Sequence, residues 1–341
     1  MVKLNIDLPE SFFQEEERDG YLVSAKTKQL WAVQLDLLNE FDRVCKKHNL
    51  KYILDFGTLL GAVRHKGFIP WDDDVDVSML REDYDKLMDV GSKEFNEPYL
   101  LQNVTKEKYY DEPTSKLRRT DTTYLMPHNL RFRSPYNQGI FIDIFVFDAL
   151  PSNDENIVKQ TRQTTTKMYA RAFASAHRPG LFDGYVLPLT ALRYFYLKCR
   201  YGSSQTQQVQ REQFAKQCVS SPFVCNIQSQ ATRVRPLSWF ENVEYAQFEN
   251  LSMPIPVCYD EVLKECYGDY MRPVRGTSAH NLIFTDSSHS ISDLISQLGS
   301  YEKLMKQLNV NIADYTIGFK DCLEILKIKM KYFSFRISNH N

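Results

Sequence analysis

No stretch of about 18 consecutive apolar residues occurs in this chain, so the sequence offers no membrane-spanning helix. After a brief Val2–Leu8 segment the first twenty residues are polar and acidic, without the basic-then-apolar layout of a secretory leader. Seven cysteines, an odd number, stand at positions 45, 199, 218, 225, 258, 266 and 322, with no Cys-x-x-Cys pair. That scatter argues against a disulfide framework or a zinc knuckle and leads us to expect reduced thiols in a cytoplasmic protein. A formal net charge of −1 supplies no global basic field, so nucleic acid is not an expected partner and any anion site must be local. No internal repeat or low-complexity segment is visible.

Informative density is concentrated between Tyr52 and Val77. Tyr52–Phe56 reads as a strand ending at Gly57-Thr58, where a small residue lets backbone N–H groups approach a phosphate closely. Leu59–Val63 then reads as a short helix whose positive end lies beside that cradle. A basic turn follows, in which Arg64 and His65 are natural partners for phosphate oxygens. Next come Asp72, Asp73, Asp74 and Asp76 within five residues. Read as a strand, the run places Asp72, Asp74 and Asp76 on one face and Asp73, Val75 and Val77 on a core-facing side. Asp74 and Asp76 could then share a divalent cation, and an oxygen-only set favours Mg²⁺ or Mn²⁺ over zinc.

Gly139–Asp148 is apolar on both faces, as in a central covered strand. Asp143 inside it needs charge compensation, which a cation held by Asp74 and Asp76 would supply. Asp148, at the end of that run, suits a turn or a helix cap. Lys116–Tyr124 reads as a strand whose Lys116 and Arg118 could face a diphosphate.

The run Gly57–Asp76, with its Gly-Thr-Leu-Leu-Gly-Ala-Val-Arg-His-Lys-Gly-Phe-Ile-Pro-Trp-Asp-Asp-Asp-Val-Asp sequence, resembles the signature of the LicD family of phosphotransferases. Ile142-Asp143-Ile144-Phe145 and Tyr267-Gly268-Asp269-Tyr270-Met271 resemble later motifs of the same family, the last followed by His280. The resemblance covers about residues 26–148 and 240–280. It implies a nucleotidyltransferase-like α/β (α+β) fold, a mixed sheet flanked by helices. It implies transfer of a phospho-alcohol, phosphocholine first, from a CDP-activated donor to a sugar hydroxyl of a surface glycan or glycolipid, with release of CMP. Asp74, Asp76 and Asp143 would be catalytic and metal-binding. Gly57, Thr58, Arg64, His65, Lys116, Arg118, Asp269 and His280 would bind substrate. Other phospho-alcohols (ribitol phosphate, glycerol phosphate, phosphoethanolamine or aminoethylphosphonate), nucleotidyl transfer from a triphosphate, and a non-catalytic binding role are the alternatives.

The remaining organisation follows from texture. Residues 1–25 form an N-terminal arm, 26–151 a catalytic core, 152–235 a mostly helical insertion, 236–285 the rest of the core and 286–341 a C-terminal helical region. Within the core, Leu30, Val33, Leu37, Phe41 and Val44 mark an amphipathic helix. The basic amphipathic segment 319–333 packs as a terminal helix or touches an anionic membrane peripherally.

Overall fold

The computed structural model describes residues 1–107, 110, 112–127, 129, 134–176, 187–218, 220–227, 233–274 and 284–310. In chain order, a small hairpin of β1 (Glu16–Arg18) and β2 (Tyr21–Val23) leads into α1 (Ala25–Lys47). Then come β3 (Ile53–Leu54), α2 (Phe56–His65), β4 (Asp76–Leu80), α3 (Arg81–Glu94), β5 (Tyr99–Gln102), β6 (Ser115–Arg119), β7 (Thr123–Leu125) and β8 (Phe141–Ala149). The insertion holds α4 (Glu155–Ala176), α5 (Leu187–Tyr201) and α6 (Ser204–Ala215). After these helices, but still within the span expected as insertion, come β9 (Phe223–Cys225) and the start of β10 (Val234–Pro236), which join the main sheet. The hairpin β11 (Val243–Phe248) and β12 (Leu251–Pro256) and then α7 (Tyr259–Tyr267) follow. The chain continues with β13 (Phe284–Asp286), α8 (Ile291–Leu298) and α9 (Tyr301–Gln307). Predicted helix 319–333 and His280 lie outside the described residues.

Strand β8 is the spine of a seven-stranded mixed sheet. It runs parallel to β4 and antiparallel to β6 and β9, with β3 beyond β4, β5 beyond β6 and β10 beyond β9. Its apolar run is buried on both faces, as its sequence predicts. The periodic residues of α1 are all buried against this sheet, and Ser24 caps the helix by accepting from the Thr27 N–H at 3.1 Å. The expected mixed α/β, nucleotidyltransferase-like fold is what the chain adopts.

Four local readings change. The acidic run does not form a strand until Asp76. The Asp72 N–H turns back to the Ile69 carbonyl at 2.9 Å, and Trp31 and Gln34 of α1 donate to the Asp72 and Asp73 carbonyls at 3.0 and 2.7 Å. Backbone groups committed to a helix cannot pair with a neighbouring strand, so Asp72–Asp74 is a braced loop. Helix α2 starts at Phe56, earlier than Leu59, because the Asp55 carboxylate caps it by accepting from the Phe56 N–H at 2.8 Å. The Lys116–Tyr124 strand breaks into β6 and β7 at a turn in which the Thr122 N–H reaches the Arg119 carbonyl at 3.3 Å. Asp148 stays inside β8 and takes a two-pronged ion pair from Arg81, at 2.6 and 3.1 Å.

Helix α2 ends where Lys66 adopts a left-handed conformation, and the chain doubles back so that the Gly67 carbonyl lies against Gly61. A methyl group at position 61 would collide with that carbonyl, which is main chain and cannot swing aside. Gly61→Ala should therefore cost about 1–3 kcal/mol, read as a lower urea midpoint with unchanged slope; a midpoint equal to wild type would contradict this packing.

Candidate active site

Register brings the site together. In the parallel β4–β8 ladder Asp76 is the direct partner of Asp143, and the Asp143 N–H donates to the Val75 carbonyl at 2.8 Å. Partners in a ladder share a face, so the two carboxylates stand side by side. The braced loop delivers Asp74 to the same place. Ligating oxygens of Asp74, Asp76 and Asp143 all lie within 4.8 Å of one another, and Asp72, Asp73 and Asp74 form an adjoining set under the same limit. Asp76 and Asp143 are buried and Asp74 is half-buried.

The Asp143 carboxylate and the Asp76 backbone are held from behind. On the other side of Asp143, Lys116 of β6 is its ladder partner. The Lys116 ammonium donates to Asp143 Oδ1 at 2.7 Å, and the Thr114 hydroxyl donates to the same oxygen at 2.6 Å. Oδ2 of Asp143 receives no hydrogen bond among the described residues. The Thr58 hydroxyl accepts from the Asp76 N–H at 2.8 Å, tying the first turn of α2 to the start of β4. Burial pushes the Asp76 carboxyl well above the usual range, and the neighbouring charges of Asp74, Asp143, Asp72 and Asp55 push the same way. Asp72 is pushed up to about 6, chiefly by burial, with Asp73 adding to the rise and a hydrogen bond with Asp74 opposing it.

Gly57 and Thr58 occupy the first turn of α2, where N–H groups have no intrahelical acceptor. A Cβ on Gly57 would stand 2.8 Å from Asp72 Oδ2, so the missing side chain keeps the space between helix end and acidic loop open. An anion entering here meets two N–H donors and the positive end of a helix on one side and the carboxylate cluster on the other. Oxygen-only donors converging this closely suit a hard divalent cation, which would sit between the cluster and that anion.

The other expected residues are distributed differently. Lys116 is buried and serves Asp143 and, at 3.3 Å, Glu112. Arg118 is buried too, its guanidinium donating to Gln102, the Gly139 carbonyl and Glu112 at 2.5, 2.7 and 3.1 Å. Both cations therefore stiffen the back of the site, and neither presents an open charge to a diphosphate. Arg64 and His65 sit at the far end of α2, roughly 10 Å along the helix from Gly57. There Arg64 donates to the Tyr270 carbonyl at 2.7 Å, and His65 Nε2 lies 2.9 Å from Asp19 Oδ2. They line a separate cavity of about 490 Å³ with Arg18, Asp19, Lys66, Gln247 and Glu249. Asp269 is exposed just past α7, after Gly268 with its positive φ of 64°.

Two residues escaped the sequence reading. Asp55 and Arg235 form a fully buried ion pair at 2.6 Å, and Ser78 donates to the same Asp55 oxygen at 2.7 Å. Burial pulls the Arg235 guanidinium down, but the charge and hydrogen bond of Asp55 outweigh it and leave the group raised. This pair anchors a strained junction: Phe56, at φ 46°, turns the chain from β3 into α2. An Asp directly before a helical run is a legible capping signal. Arg235, 180 positions away, carries none.

A mixed sheet with acidic residues at the start of two adjacent strands, beside a helix N-terminus, defines a nucleotidyltransferase-like enzyme. Comparison with known proteins agrees. The family model "LicD/FKTN/FKRP, nucleotidyltransferase domain" matches residues 49–179. The lipopolysaccharide cholinephosphotransferase LicD of Haemophilus influenzae is 29% identical over 251 residues, covering 70% of this chain and 89% of that protein. An uncharacterised protein of Rickettsia prowazekii is 44% identical over 69 residues, 20% of this chain and 25% of its own length. Residues 49–179 therefore match the nucleotidyltransferase domain of the LicD family, and the chain is a LicD-type phosphotransferase.

The raised carboxyls have a consequence for the metal-free protein. A carboxyl whose folded pKa exceeds its unfolded value stabilises the fold below the unfolded pKa and loses that contribution as pH rises through the folded one. For Asp72 the window runs from the ordinary 3.8 to about 6. In the presence of a chelator, Asp72→Asn should gain thermal stability relative to wild type as pH rises through that window. A difference between the two that stays constant across it would contradict the buried cluster.

Proposed function

We propose that this enzyme transfers a phospho-alcohol, phosphocholine first, from a CDP-activated donor to a sugar hydroxyl of a cell-surface glycan or glycolipid, releasing CMP. The observation that carries the reading is the convergence of Asp74, Asp76 and Asp143 within 4.8 Å beside the open first turn of α2. These three carboxylates would hold Mg²⁺ or Mn²⁺. Such a cation supplies charge neutralisation at the oxygens of the phosphate in transit. The chain's own groups do the rest. N–H groups of Gly57 and Thr58 orient the diphosphate, Lys116 and Thr114 hold Asp143 in one rotamer, and the cluster accepts the proton of the attacking hydroxyl.

A second feature supports a cationic alcohol. Beside the acidic loop lies a cavity of about 270 Å³ whose walls include Tyr21, Trp71, Phe284, Asp72 and Asp73. Aromatic faces with nearby carboxylates suit a quaternary ammonium. Lys26, also in the wall with its ammonium 5.2 Å from the Phe284 ring centre, would have to swing out to admit one. The H. influenzae relative is named for cholinephosphate transfer, which agrees with such a head group.

Two measurements test this. Incubation with CDP-choline, Mg²⁺ and a glycan acceptor should release CMP, and Asp76→Asn should slow release at least about a hundredfold without lowering the thermal midpoint. Pyrophosphate release from CTP in place of CMP release would establish nucleotidyl transfer instead. Trp71→Leu should raise KM for CDP-choline roughly two- to thirtyfold while leaving CDP-glycerol within twofold, given the usual range of cation–π energies. Equal losses on both donors would remove the aromatic cavity from donor selection.

A further inference from the structure

Helix α5 carries its polarity the wrong way round for a protein in water. Its inner face, Tyr194 and Leu197, is buried against the insertion. Its outer face presents Leu189, Leu192 and Tyr196, spaced three and four apart, with Phe195 alongside. These four side chains are 59–70% exposed, a contiguous apolar stripe rather than scattered singles. Arg193, Lys198 and Arg200, all exposed, border the stripe, and the fifteen-residue helix contains no acidic residue.

We propose that α5 is a docking surface for an anionic lipid bilayer. An apolar face with a cationic border matches a membrane interface, where the stripe enters the acyl boundary and the cations meet lipid phosphates. A second copy of the chain fits less well. Two-fold packing of α5 on itself would set three cations against three cations with no acid on either helix to offset them. The position also has a use. Gln205, in the first turn of α6 and four residues past the end of α5, donates to the Thr105 carbonyl at 2.8 Å, just beyond Gln102. Gln102 is level with Lys116 and Asp143 across β5, β6 and β8, so the end of α5 arrives at the acidic end of the sheet. A membrane bound there would present a lipid-carried acceptor to the site. This use rests on the acceptor half of the proposed function; the binding itself does not.

The test is co-sedimentation of the full chain with vesicles of phosphatidylglycerol and phosphatidylcholine in equal parts, against vesicles of phosphatidylcholine alone. Wild type should pellet with the first and not the second. Leu192→Asp combined with Phe195→Asp should lower partition at least about tenfold, and each of Arg193→Gln, Lys198→Gln and Arg200→Gln roughly fivefold. CMP release with a soluble acceptor should be unchanged in every variant, which verifies the fold. Equal pelleting by wild type and the double variant, or no pelleting by wild type, overturns the proposal. So does a wild-type dimer that the double variant dissociates. Vesicle binding without CMP release would sink the phosphotransfer reading and leave this one standing.

Discussion

Two aspartates facing each other on adjacent parallel strands are an electrostatic liability that the rest of the site is arranged around. The ladder that pairs Asp76 with Asp143 cannot be relieved by a rotamer change alone, because register sets both carboxylates on one face. Like charges directly opposite destabilise a sheet, and burial magnifies the repulsion. On one flank the chain answers with the ammonium of Lys116 across the next strand. On the other flank Asp74 adds a further negative charge. A cation held between these acids, as proposed above, would relieve the stack, and the first turn of α2 would face the anion that came with it.

The supporting network reaches far along the chain. Helix α1 fixes the acidic loop by its carbonyls, through Trp31 and Gln34. The stack of Trp31 on Phe68, with ring centres 4.6 Å apart, ties that helix to the turn beyond α2. Arg235, delivered on β10 after the three insertion helices, locks Asp55 and with it the start of α2. A second buried pair, Asp36 with Arg119, joins α1 to β6, the strand that carries Lys116. Removing one partner of such a pair strands a buried charge, which costs about 3–5 kcal/mol. The scaffold therefore sets carboxylate geometry through buried ion pairs behind the site.

Much of this was legible in the sequence. The acid-rich run and the aspartate within an apolar strand announced themselves locally, since each is expensive unless a partner explains it. The covered strand β8 and the face of α1 followed from periodicity. What was misread shares a cause: side chains acting on backbone at a distance. Trp31 and Gln34 turned an expected strand into a loop, and Asp55 moved a helix start by three residues. Lys116 and Arg118 looked like ligands for a diphosphate because their partners, Asp143, Glu112 and Gln102, are not neighbours in sequence. Arg64 and His65 are near Gly57 in the chain, yet a helix carries them to a different cavity.

The central claim is a single cation shared by three carboxylates. Anomalous scattering from crystals grown with Mn²⁺ and CDP-choline measures it directly. The account predicts one peak within coordination distance of Asp74, Asp76 and Asp143 together, touching a donor phosphate. Manganese bound elsewhere, or a donor seated with those carboxylates bare and turned apart, would contradict it.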